Sequence, residues 1–167
     1  MAEIRNIIDH KTIKYEGLFD AKELYNTLKE WQNEKRYIQQ EIQNFESIKD
    51  KGKEIYIKIE PYKEATDYIK FMIRVQVNME NVVDVEVKKD DIMKRMNKGD
   101  VTIIIDGLLV TDYENRWEQR PIYVFMRTLY DKIFFKVYTD KYIEILKEDT
   151  ENMISTLKSF LNLYKFE

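Results

Sequence analysis

Histidine, cysteine and glycine supply most recognisable catalytic signatures, and this chain is poor in all three. Its 167 residues include one His, no Cys and four Gly. His10, as the single histidine, rules out HExxH, two-histidine metal sites and any Ser-His-Asp arrangement not built on it. Asp9 could orient the His10 ring, but sequence neighbours rarely make a site. An ordinary surface histidine near the chain start is the plainer reading. Without Cys, disulfides, thiolate metal sites and cysteine nucleophiles are excluded. GxGxxG, GxxxxGK and GxSxG are all absent, and with them nucleotide cradles and nucleophile elbows. Asp90-Asp91, or Asp84 with Glu86, could take a hard cation. However, no loop combines the ligand spacing of a Ca²⁺ site with its glycine, so a solvated acidic face is the better reading. No catalytic residue, cofactor or metal ligand is therefore expected. Any enzymatic activity would fall to acid–base chemistry by Asp, Glu and Tyr.

The densest polar-aromatic segment runs from Thr111 to Pro121. Asp112, Tyr113, Arg116, Trp117 and Arg120 are its candidate binding residues. Trp and Arg are enriched at binding hot spots, and carboxylates pair with arginine. As an interaction site the segment should leave Trp117 or Tyr113 exposed, with Arg116 and Arg120 free for a partner's carboxylates. As a strand end and helix entry it should bury Trp117 and pair both arginines within the chain. Thr-Asp-Tyr occurs at Thr66–Tyr68 and again at Thr111–Tyr113, and Thr139-Asp140 nearly repeats it. Three residues are too few for a repeat, and Thr and Asp at element boundaries explain them.

Charge and composition narrow the partners. Lys and Arg number 28 against 31 Asp and Glu, a net charge of −3 with the signs interspersed. That balance exerts no long-range pull on a phosphate backbone. Twelve Tyr and eight Phe could stack on bases, but the strands carry no RNP-like basic-aromatic pattern, so no nucleic-acid partner is expected. Apolar residues make up 44%, enough for a core, and no apolar run approaches the roughly 18–20 residues that span a bilayer. The N-terminus carries acid where a signal peptide needs a basic region and then an apolar stretch. A cytoplasmic location follows by default.

The elements that would position these residues are legible in part. No repeat or linker divides the chain, so one domain over 1–167 is expected. Asp20 can cap a helix, with Glu23 completing a capping box and Phe19 and Leu24 a hydrophobic staple; Leu24, Leu28 and Trp31 then share one face. Lys11–Glu16 suggests a short strand, and Glu34–Lys53 reads as a helix tail running into a loop. Period-two alternation predicts strands around Ile55–Ile59, Ile69–Met79 and Val83–Val87, with a tight turn at Glu80-Asn81. Asn97–Asp100 leads into a fourth strand, Val101–Thr111, with a bulge or bend at Gly107. Between Ile122 and Val137 an apolar stripe favours a helix, while β-branched content leaves open a hairpin turning near Asp131. A C-terminal helix is expected from about Thr150, its stripe formed by Met153, Ile154, Leu157, Phe160, Leu161 and Tyr164.

Asp112-Tyr113 with Arg116-Trp117-Glu118, Arg127–Lys132, and Phe160–Tyr164 together resemble a group of small uncharacterised archaeal proteins. The likeness spans much of residues 15–166, implies a real cellular family with a cytoplasmic home, and brings no activity with it. The element order is also similar to the START-like helix-grip fold, in which a sheet curls around the last helix. That fold often leaves an apolar cavity, but it would need Ile122–Tyr138 to be a hairpin.

The expected architecture is α+β: an antiparallel sheet of four or more strands, packed on one face by an N-terminal helix and C-terminal helices. Three functions fit. The first is a non-enzymatic protein-interaction module acting on a protein partner or as a homo-oligomer, through the Trp117 segment or an exposed helix face. The second is a carrier for a small apolar or lipid-like ligand. The third is an enzyme of the acid–base kind above. The carrier needs a closed pocket between sheet and last helix, lined by Ile57, Phe71, Ile73, Ile103, Ile105, Leu157 and Phe160.

Overall fold

The computed structural model describes residues 3–89, 92–113 and 135–163. The chain opens with strand β1 (Glu3–Phe19), helix α1 (Ala21–Glu34) and strand β2 (Glu41–Lys49). Strands β3 (Gly52–Ile59), β4 (Tyr62–Glu64), β5 (Ile69–Lys89) and β6 (Ile92–Thr111) follow, and helix α2 (Phe135–Leu163) comes last. The fold is α+β, a six-stranded antiparallel sheet in the order β1-β6-β5-β3-β2 with β4 paired to β5. Both helices pack against it. No helix among the described residues is long and apolar enough to cross a membrane.

Alternation explains the sheet. Ile69, Phe71, Ile73, Val75, Val77 and Met79 of β5 are buried, while Lys70, Met72, Arg74, Gln76 and Asn78 between them are half-buried on the opposite face. Val101, Ile103, Ile105 and Leu109 of β6 join them in one core, which Leu24, Leu28 and Trp31 of α1 and Leu146, Met153, Leu157 and Leu161 of α2 complete. The start of α1 is built as its residues dictate. Asp20 is the N-cap and accepts a 3.0 Å hydrogen bond from the Glu23 amide, with Phe19 and Leu24 fully buried on either side.

Several elements run longer than their local patterns imply. The short strand expected at Lys11–Glu16 is part of the 17-residue β1, and the last helix begins at Phe135 rather than near Thr150. Phe135–Tyr138 belong to α2, and the rest of the segment read as helix or hairpin lies outside the described residues. Glu80-Asn81 is no tight turn. Asn81 takes φ 53° inside a continuous β5, and Val83, Val85 and Val87 are the outer arm of that same strand, paired to β6. The chain bulges there instead of reversing, and Gly52 of β3 and Gly99 of β6 approach the bulge closely from either side. Asn97–Asp100, read as a lead-in, already belong to β6 and pair with β1 and β5 together.

The Glu34–Lys53 stretch departs most. It opens with the end of α1 and a short connection, but the rest of the expected loop is the strand β2 and the start of β3. β2 is an edge strand with both faces wet, so it carries no alternating apolar signal. At Gly107 the irregularity lies in the partner strand: β1 loses register between Asn6 and Lys11, opposite it. A Cβ on Gly107 would stand 3.0 Å from Thr150 Oγ1, so this glycine sets how closely α2 crosses the sheet.

Candidate functional site

The β1 irregularity produces the one mixed cluster of titratable side chains that could hold a metal ion among the described residues. Ile8 pairs with Gly107 and Lys11 with Ile105, so Asp9 and His10 together oppose Asp106 alone. Two residues against one is a bulge, and His10 absorbs it with φ 48°, a left-handed conformation uncommon outside glycine. The His10 amide donates to Asp106 Oδ1 at 2.7 Å. The His10 ring is turned so that Nδ1 lies 2.6 Å from Asp9 Oδ1 and 3.4 Å from Asp106 Oδ1. Asp106 is buried, its side chain 3% exposed, whereas the His10 side chain is 68% exposed.

These contacts favour the imidazolium. The hydrogen bond to Asp9 raises the His10 pKa most, the charges of Asp106 and Asp9 add to it, and desolvation and then Arg74 oppose them without cancelling the rise. Arg74 is the ladder partner of Asp106, but its Nε donates to Glu60 at 2.7 Å. Burial pushes the Glu60 carboxyl up, and Arg74 and Lys58 outweigh it, holding the pKa below the ordinary range. The three donor atoms of Asp9, His10 and Asp106 lie within 4.8 Å of one another, and the trio could hold a divalent cation with water completing its shell. Because His10 is the sole histidine, its titration is directly readable. The ¹H chemical shift of its ring should give a single curve with a midpoint above 6.5, and Asp9→Asn should move that midpoint down. A midpoint that Asp9→Asn leaves in place would show that the pair does not form in solution.

Of the five residues predicted to bind, Asp112 and Tyr113 are described, while Arg116, Trp117 and Arg120 lie outside the described residues. Asp112 is buried, with φ 52°, and its amide donates to the Tyr68 carbonyl at 2.9 Å. Tyr113 is half-buried and donates its hydroxyl to the Thr66 carbonyl at 3.1 Å. Lys70 Nζ sits 4.3 Å from the centre of the Tyr113 ring and 4.7 Å from that of Tyr62. The two Thr-Asp-Tyr tripeptides thus meet at one end of the sheet. Thr66 Oγ1 accepts from the amides of Tyr68 and Ile69 just where β5 begins, and Thr111 pairs with Ile69 where β6 ends. Each occupies a strand boundary, the place where a short polar side chain can cap free amides.

A polar seam joins the two helices. Trp31 Nε1 donates to Asn152 Oδ1 at 2.8 Å, and the buried Tyr37 hydroxyl donates to Asp149 Oδ2 at 3.0 Å. Lys35 stands 3.5 Å from the other oxygen of Asp149. Burial and the Asp149 charge push the Tyr37 phenol far above its usual range, so it stays a donor at any physiological pH. The seven residues that would line a carrier's pocket are all buried in the single core. Two open clefts are bounded by other described residues, one at the β2–β3 turn around Asp50 and Gly52, the other between β1 of the sheet (Thr12–Tyr15) and the end of α2 (Lys158–Asn162).

Sequence reasoning missed two features. Asp106 was passed over because nothing local marks it: it stands 96 positions from His10. The exposed apolar side chains of β2 were also missed, although Ile42, Phe45 and Ile48 recur every third residue in a polar segment. Ile48 is 82% exposed and Phe45 55%, and the Phe45 ring lies 5.3 Å from that of Tyr56 on β3. No family model, curated protein or solved structure matches this chain.

Proposed function

We infer that this protein is a non-enzymatic interaction module that binds another polypeptide chain along the free edge of β2. One observation carries the reading: among the described residues β2 ends the sheet, is paired on one side only, and exposes Ile42, Phe45 and Ile48. An edge strand presents a row of unpaired amides and carbonyls, a template for one more strand. Folded proteins usually blunt such edges with bulges and charge. The opposite edge, β1, is blunted in both ways, by its bulge at Asp9-His10 and by exposed Glu3, Arg5, Lys11 and Lys14. β2 also carries charge, at Glu41, Glu46 and Lys49, and an irregularity between Glu41 and Gln43, but it keeps regular pairing from Gln43 to Lys49 and places apolar side chains where water would meet them.

Native mass spectrometry of protein purified gently from its own cells tests this. A species carrying a second polypeptide is expected, and Phe45→Lys should abolish it without lowering the melting temperature, because Phe45 is exposed. A bare monomer, or a monomer retaining only a small apolar molecule, would overturn the reading.

A further inference from the structure

We propose that the chain that pairs with β2 is a second copy of β2, antiparallel about a two-fold axis through Phe45. This rests on the edge-binding reading above and names its partner. A two-fold axis perpendicular to the sheet keeps each residue on its own face, so opposed residues must have numbers of the same parity. With Phe45 opposite Phe45, the regular stretch pairs Asn44 with Glu46 and Gln43 with Ser47, each twice, and beyond it, where β2 shifts register against β3 at Ile42, Ile42 comes beside Ile48 and Glu41 beside Lys49. Apolar meets apolar, amide or hydroxyl meets hydrogen-bonding side chain, and carboxylate meets ammonium. No like charges face each other. Moving the axis to Glu46 would set two carboxylates face to face and put Ile48 against Asn44. Moving it to Asn44 would put Ile42 against Glu46. Like charges directly opposed destabilise a ladder, and matched pairs support it.

The flanking strand fits the same axis. Tyr56 pairs with Phe45 in the β2–β3 ladder and touches its ring, so the dimer would carry Tyr56, Phe45, Phe45 and Tyr56 in one row across the joined sheets. Lys49 now pairs with Glu54 at 2.7 Å, and Glu41 accepts the Tyr25 hydroxyl at 2.6 Å. Both residues are exposed, which leaves each able to turn toward a charge on the neighbouring strand.

A chain without cysteine allows a register test by disulfide trapping. Directly opposed antiparallel residues have Cα atoms about 4.5–5.5 Å apart, within disulfide reach. Phe45→Cys should therefore link to itself on mild oxidation. Gln43→Cys and Ser47→Cys should each fail to link alone, since like positions would lie roughly 13 Å apart along the strands, and should link when mixed. Sedimentation of the unmodified protein should show a concentration-dependent dimer, lost in Phe45→Lys with the circular dichroism spectrum unchanged. A monomer throughout, or a dimer in which position 43 or 47 links to itself instead of position 45, overturns the proposal. If the monomer still holds a foreign polypeptide that Phe45→Lys displaces, only self-pairing has failed. If it holds none, edge binding has failed with it.

Discussion

Replacing Ile73 with alanine should destabilise the protein by about 2–5 kcal/mol. Ile73 is fully buried in the middle of β5, paired on one side to Gly107 of β6, and surrounded by a core to which the sheet and both helices contribute. Truncation loses the transfer energy of the removed carbons and leaves a cavity that strands tied on both sides cannot close. For a chain of this length the melting temperature should fall by roughly 5–15 °C. Three residues on, Gln76 projects from the opposite face and accepts a 3.2 Å hydrogen bond from the Tyr56 hydroxyl, at a site that water can still reach. Gln76→Ala should cost no more than about 1 kcal/mol, the net worth of one neutral hydrogen bond. Chemical denaturation of the two variants decides the matter. Equal losses would mean that the strand is dry on both faces.

Gly52→Ala should be comparably severe for a different reason. Gly52 begins β3 with φ +137°, where a side chain is strained by about 1–3 kcal/mol. An added Cβ would also stand 2.8 Å from the Val82 carbonyl oxygen and 2.9 Å from the Asn81 carbonyl carbon, backbone atoms of the β5 bulge that cannot swing aside. Overpacking of this kind adds a further cost of about 1–3 kcal/mol. Gly99→Ala isolates that second contribution. Its Cβ would meet the Glu80 carbonyl oxygen at 2.7 Å, but its φ is not in the left-handed region. Thermal unfolding should therefore rank the variants Gly52→Ala, then Gly99→Ala, then wild type in rising stability. A Gly52→Ala protein as stable as wild type would show that the bulge relaxes on the β3 side, and that Gly52 is not needed to hold it.

Where a residue's neighbours along the chain are also its neighbours in space, local chemistry was enough. Asp20 caps α1 because its side chain reaches an amide three residues away, and β5 buries alternate residues because a strand has period two. The Glu80-Asn81 signal was real but ambiguous. A left-handed Asn suits a turn or a bulge equally, and the choice fell to the two glycines brought in by β3 and β6. The same holds at Phe135, where a local stripe could not say how far α2 extends toward the N-terminus.

The candidate sites belong to tertiary structure. β2 was unreadable as a strand because alternation marks burial on one face, and an edge strand beyond the helices is buried on neither. Its apolar residues acquire meaning only once the sheet order places them at an unpaired edge. Asp9 and His10 were visible as neighbours, but the third member of their cluster comes from β6, delivered by a bulge that turns two residues of β1 toward one buried carboxylate. Residue types along the chain therefore determined the class of fold, the first helix, the central strand's two faces and the chemistries that one histidine and no cysteine forbid. Which polar and apolar side chains meet, and which edge stays open, was decided by strand pairing between residues far apart in the chain, and local pattern carries no record of those partners.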